Sequence, residues 1–286
     1  MTTLKNKVGI SNDSALFSLL QDSNESVASL AMEQILQLPD FEAKMRNYQD
    51  TADPILRRRV HQLSNIARRR ENMAQFMQSS LKGRMDIWRS MLLLDQLYDQ
   101  QNSPDYLETM SQELIREFSK RRNNANSLTR FMREQDFAPA TENWFDASNY
   151  LLGNVLESRE GAPALLCIIA QHIASFYGLQ CHIILYMGRF CLIDQSLNLI
   201  DPVADWKVHK SPEGERFHVC DAKAVLITIV SHLFAFAVVN WDPWEIHFFS
   251  KMLLSVAKTE NEELPYPLGK YNSPPGTRMT KTGLPK

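Results

Sequence analysis

The sequence predicts an α+β chain: a helical first half, made of helical hairpins, followed by a domain of helices packed on a short antiparallel sheet. Three observations predict this. Apolar residues up to about position 135 recur at helical spacing. Between Cys181 and Ile200 the chain turns to short runs rich in β-branched and aromatic residues, the pattern of strands. Two strongly apolar stretches, Ala164–Tyr177 and Ala222–Val239, are long enough for buried helices that would cover such a sheet.

In chain order, Leu16, Leu19, Leu20, Val27, Leu30, Ala31 and Ile35 mark two helices on either side of Gln21-Asp22-Ser23-Asn24. Phe41–Tyr48 is a third helix. Asp53 reads as an N-cap with Pro54 at the first helical position, and Ile55, Leu56, Val60, Leu63 and Ile66 mark the next apolar face. Gln21-Asp22…Val27 is echoed by Gln49-Asp50…Ile55, which suggests a helical-hairpin repeat similar to HEAT repeats. Further helices are expected at Met85–Asp99, Tyr106–Arg121 and 126–135. Ala138-Pro139-Ala140-Thr141 reads as a linker, so the expected organisation is a helical domain over 1–137 and a second domain over 138–258.

Trp144–Glu157 is expected to be one helix. Gly161-Ala162-Pro163 opens the apolar helix that ends at Gly178. His182–Met187, Phe190–Asp194 and Leu197–Ile200 are three expected strands, with Gln195-Ser196 turning between the last two. Ala222–Val239 is near the length of a membrane span, but Lys223 and His232 interrupt it, so a buried helix is expected and no membrane span. Asp242-Pro243-Trp244-Glu245 has the form of a capping box that starts a last helix to Ala257. The segment 259–286, with LPYPLGKYNSPPG, cannot bury enough apolar surface to order itself and is expected to be disordered or laid out in extended form.

Composition narrows the function. The formal net charge of −2 gives no global pull toward nucleic acid or acidic lipid. Arg57-Arg58-Arg59 and Arg68-Arg69-Arg70 lack interleaved aromatics and read as a solvated outer face, so nucleic acid is an unexpected partner. The cysteines are Cys167, Cys181, Cys191 and Cys220, without a CxxC pair. Reduced thiols in a cytoplasmic protein are the expectation, and MTTLKNKVGI shows no signal-peptide pattern. His218 and Cys220 form an HxC pair, and Cys181 and His182 are adjacent. Neither has zinc-ligand spacing, so no metal and no cofactor are expected.

The run from Asn149 to Trp206 resembles the transglutaminase-like domain of the bacterial SirB family. Asn149-Tyr150-Leu151 precedes Val155-Leu156-Glu157-Ser158-Arg159. Gly161-Ala162-Pro163-Ala164-Leu165 comes next as a Gly-x-Pro-x-x-Leu element. Ala174…Gly178-Leu179 and Leu199-Ile200-Asp201-Pro202 complete the pattern. The resemblance implies a papain/transglutaminase-like core. In its active members a cysteine at a helix N-terminus, a histidine and an aspartate form the site; the helix dipole favours the thiolate. Carried onto this chain, the nucleophile position falls at Pro163, the histidine position at Arg189 and the aspartate position at Asp201. Arginine cannot shuttle a proton near neutral pH, so no catalytic residue is expected and Arg189 is expected to pair with Asp201.

The expected function is therefore that of a non-catalytic, regulatory or protein-binding module with a protein or peptide partner. The alternative is a thiol hydrolase or acyltransferase with a displaced cysteine. Cys191 shares a strand face with the cation of Arg189, and Cys167 lies one turn beyond Pro163.

Overall fold

The structure is a computed structural model and describes residues 12–81, 85–99, 103–142, 145–210 and 217–258. The N-terminal segment, Trp144 and the Pro-rich stretch 259–286 lie outside the described residues. The chain divides by compactness between Ala74 and Gln75.

The first unit holds α1 (Asn12–Leu19), α2 (Glu25–Ile35), α3 (Phe41–Arg46) and the start of α4 (Pro54–Leu81). The turns are set by short acidic and amide side chains, as their types predict. Asp22 Oδ1 accepts from Asn24 N, and Asn24 Oδ1 accepts from Ser26 N to cap α2. Asp53 Oδ1 accepts from Ile55 N and Leu56 N at the head of α4. Phe17, Leu20, Ala31, Ile35, Met45, Leu56, Val60 and Leu63 close the core, and Phe17 stacks on Tyr48 at 4.1 Å.

The arginine run on α4 corrects the sequence reading at one position. Arg59 is buried. Its guanidinium donates to the carbonyls of Leu20 and Asp22 and to Glu25 Oε1, pairing groups that the end of α1 and the turn after it would leave orphaned. A buried charge persists here because its donors are matched by acceptors. Arg57 meanwhile donates to Thr51 O, and Arg58 is exposed.

The second unit contains α5 (Ile87–Tyr98), α6 (Pro104–Phe118), α7 (Ala125–Glu134), β1 (Ala138–Pro139), a 3-10 turn at Ala147–Tyr150, α8 (Leu152–Ser158), β2 (Glu160–Gly161) and α9 (Pro163–Ser175). It continues with β3 (Cys181–Tyr186), β4 (Arg189–Asp194), β5 (Asn198–Asp201), β6 (Lys207–Lys210), β7 (His218–Val219), α10 (Ala222–Asn240) and α11 (Pro243–Ala257). The sheet is antiparallel with order β6-β5-β4-β3-β7. The three expected strands are present within a residue of their predicted bounds. β6 and β7 are additions, each short and largely exposed, without the apolar alternation that marks a strand in sequence.

Two local expectations change. The segment read as a linker is in part a strand: Ala138–Pro139 pairs in parallel with Glu160–Gly161, and Ala140 N donates to Gly161 O. The expected single helix over 144–157 is broken at Leu151, which is extended (φ −100, ψ 127). Leucine cannot cap the new helix. Asp95, a buried carboxylate on α5, reaches Gly153 N at 2.7 Å and supplies the missing acceptor.

α9 is apolar on nearly all sides and nearly fully buried, against α5, α6, α7, α10, β3 and β4. Its end matches a Schellman motif: Leu179 N donates to Ala174 O, Gly178 N donates to Ser175 O, and Gly178 has φ +74. α10 is long and apolar enough to cross a membrane by length and composition. Here Val225, Leu226, Ile229, Val230, Leu233, Phe234 and Ala237 are buried, and the helix packs on α11, α5 and α9 as a core helix does.

Two substitutions test this packing. A Cβ on Gly161 would stand 2.6 and 2.7 Å from the methyls of Val155, a β-branched side chain with little rotamer freedom. Gly161→Ala is expected to cost about 1–3 kcal/mol, read as a fall in thermal midpoint. Arg59→Met, which strands the Leu20 and Asp22 carbonyls, is expected to cost about 2–4 kcal/mol in urea unfolding; a change below about 0.5 kcal/mol would refute the role of that cluster.

Candidate functional site

The head of α9 is built by backbone rather than by a side-chain cap. Ala162 is the N-cap (φ −65, ψ 140), its N–H donates to Asn149 O at 2.8 Å, and its carbonyl receives Leu165 N and Leu166 N. Pro163 is the first helical residue, where its missing N–H leaves no donor unpaired. Proline offers no nucleophilic side chain at that position.

β4 and β5 bring the other residues together. The pairs Leu192↔Ile200 and Ile193↔Leu199 set the register, so the next step places Cys191 across from Asp201, with Arg189 two residues further along the same face. Arg189 Nη1 lies 3.5 Å from Asp201 Oδ2. The arginine side chain is 45% exposed and the aspartate side chain 5%. Asp201 Oδ1 accepts from Val203 N at 2.9 Å and Ala204 N at 3.3 Å. One carboxylate oxygen thus shapes the turn after the sheet, and the other faces the guanidinium.

Cys191 lies fully buried beside this pair. Burial, followed by the charge of the Asp201 carboxylate, pushes the thiol up to about 12. Arg189 pulls the other way, as the sequence reading expected of a neighbouring cation, but it is outweighed. Cys167 is raised well above the ordinary thiol value, first by burial and then by the fields of Cys191 and Asp201. α9 packs on β4, the strand that carries Cys191 and Arg189. Cys181 is likewise pushed up to about 12 by burial, and partly exposed Cys220 is raised by the same cause. At neutral pH these groups are thiols, not thiolates.

A cleft elsewhere in the unit was not visible in the sequence. A cleft of about 690 Å³ opens at the far end of α9, bounded by the starts of α5, β3 and α10. Its wall includes Asp86, Trp88, His172, His182, Cys220 and Asp221. Asp86 and Asp221 cap α5 and α10, accepting from Arg89 N and Ala224 N. His172 stacks on Trp88 with ring centroids 3.7 Å apart and 6° between planes, and its Nε2 lies 3.3 Å from Ser111 Oγ. Burial pushes His172 down to about 4, against a smaller opposing pull from Asp86. Among the described residues no three His, Cys, Asp or Glu side chains gather as a metal site requires.

Residues 101–218 match a family model described as the transglutaminase-like superfamily, so this stretch is similar to a transglutaminase-like domain. The match takes in α6 and α7, which the sequence reading grouped with the first domain. No curated protein and no solved structure matches the chain.

The histidine gives a pH prediction. Its folded value of about 4 lies below the unfolded value near 6.5, so the fold favours the neutral ring. The unfolded chain binds the extra proton between these values, so stability is full above pH 6.5 and falls toward pH 4. After allowing for partial exposure, the loss is about 1–2 kcal/mol. His172→Phe, which keeps an aromatic on Trp88 and cannot take a proton, is expected to flatten this part of the stability–pH curve; an unchanged slope would count against the assignment.

Proposed function

We propose that this is a non-catalytic transglutaminase-like protein, of SirB type, that acts as a regulatory or interaction module by binding a protein or peptide. The observation that carries this reading is the Arg189–Asp201 pair. A guanidinium stands where the family's enzymes need an imidazole, and it ties up the carboxylate that would orient one. Pro163 at the head of α9 supports the same reading, because that helix end could stabilise a thiolate and has none to stabilise. The vestigial cleft thus comprises Pro163, Arg189 and Asp201. The binding place in this reading is the 690 Å³ cleft, which lies within the usual range for ligand pockets and mixes apolar walls with a few polar groups.

The helices of the first unit are read as HEAT-like, supported by the paired helices α1/α2 and α3/α4 and the repeated Gln-Asp turn; the expected extent to residue 137 is narrowed by the division at Ala74. A cytoplasmic setting fits four free cysteines.

A thiol hydrolase or acyltransferase using Cys191 or Cys167 is the alternative, favoured by the position of Cys191 across from Asp201 on the neighbouring strand. Iodoacetamide labelling at pH 7.5 with mass mapping separates the two. Cys167, Cys181 and Cys191 are expected to stay unmodified while Cys220 reacts slowly. Labelling of Cys191 or Cys167 more than about tenfold faster than a free thiol with ordinary pKa would defeat the non-catalytic reading.

A further inference from the structure

The loop between α6 and α7, with the first turns of α7, forms a concavity of about 450 Å³ that shares no lining residue with the 690 Å³ cleft. Arg121, Arg122, Asn124, Asn126, Ser127 and Arg130 line it. Three of these carry a guanidinium and none a carboxylate. Asn126, Ser127 and Arg130 come together because residues three and four apart share one side of a helix. Asn124 caps α7 by accepting from Ser127 N through Oδ1, which leaves its side-chain NH2 to donate elsewhere. The wall is therefore rich in donors.

Arg121 is fixed in place. Its guanidinium lies over the Phe131 ring, 5.1 Å from the centroid, and donates to Glu134. Arg122 and Arg130 are exposed, and among the described residues neither guanidinium has a hydrogen-bond or ion-pair partner. Glu134 is the nearby counter-charge. The hydrogen bond from Arg121 is the main reason its carboxyl stays below the usual range, and the fields of Arg121, Arg130 and Arg133 add to it. Arg133 itself faces Asp205 at 3.8 Å. With Arg121 set against Glu134, the charges of Arg122 and Arg130 remain unbalanced at the concavity. The positive end of the α7 dipole has the same sign. Like charges held together without a counter-charge raise the energy of the folded state.

From this charge balance we propose that the concavity at the head of α7 binds a phosphate monoester, whose dianion is matched by Arg122 and Arg130. A carboxylate would neutralise only one of the two. A phosphate monoester carries about −1.5 to −2 charge at neutral pH and three strong acceptor oxygens. The planar fork of arginine meets such oxygens two at a time. The side chains of Asn124, Asn126 and Ser127 supply further donors without charge. The volume lies within the range of small-molecule sites, which leaves room for the group that carries the phosphate. A phosphorylated side chain of a peptide and a small organic phosphate present the same dianion.

Titration calorimetry on the full chain at pH 7.5 tests this with phenyl phosphate, benzoate, a phosphoserine pentapeptide and the same peptide unphosphorylated. Phenyl phosphate is expected to bind at least about tenfold more tightly than benzoate, and the phosphopeptide at least about tenfold more tightly than its unphosphorylated form. The tighter of the two phosphate probes identifies the carrier. Arg122→Gln and Arg130→Gln are each expected to weaken phosphate binding by about tenfold, and the double variant to abolish it, while the thermal midpoint of the unliganded chain does not fall. Arg133→Gln, one residue from Glu134 and facing Asp205, is expected to leave binding within about twofold. Phosphate probes that bind no better than benzoate and the unphosphorylated peptide would overturn the proposal. So would an equal loss in Arg133→Gln and Arg122→Gln. An oligonucleotide without terminal phosphates that binds more tightly than either probe would overturn it in favour of nucleic-acid diesters.

Discussion

α9 has almost no face for water, and the architecture of the second unit answers to that constraint. A helix apolar round most of its circumference must be surrounded. The partners that surround it come from α5, α6, α7 and α10 and from the strands β3 and β4. These elements are scattered over more than half of the sequence, so burying one helix of 13 residues draws them into a single unit. The covering has local costs, and the structure offsets them one by one. α8 begins at a leucine that cannot cap it, and the buried carboxylate of Asp95 supplies the acceptor. Trp206 is buried with its indole donating to Phe137 O, so its polar atom is not stranded.

The same burial bears on the thiols near α9. A thiol becomes a nucleophile when its anion is stabilised, and burial does the reverse. Cys167 and Cys191 are fully buried, and the Asp201 carboxylate adds to the rise of both. The cation that bears on Cys191 is Arg189, and Asp201 already faces it. The ion pair joins the start of β4 to the end of β5, and Asp201 also accepts from the backbone of Val203 and Ala204. Its charge goes into holding a turn in place.

Legibility in the sequence tracked the range of the interactions. α9, α10, α11 and the strands β3, β4 and β5 could be read because apolar period and terminal residues are local signals. Asp242 caps α11 through Trp244 N and Glu245 N, as its spacing implied. The pairing of Arg189 with Asp201 was also legible, because two neighbouring strands joined by a short turn leave little choice of register. The illegible features depended on partners remote in the chain. Arg59 looks like any arginine in a solvated run until α1 and the turn after it offer carbonyls to it. β1 and β2 are strands only because they meet each other. The cleft beside His172 exists because the starts of α5, β3 and α10 converge there.

The sequence by itself determined where the buried helix begins and ends and which strands come after it. Those are matters of residue type and short spacing, which tertiary contacts do not alter. Tertiary structure alone decided which polar groups are buried, that the thiols are held protonated, and where a cleft opens. Burial and electric field at an atom are sums over neighbours that the chain brings close only when it folds.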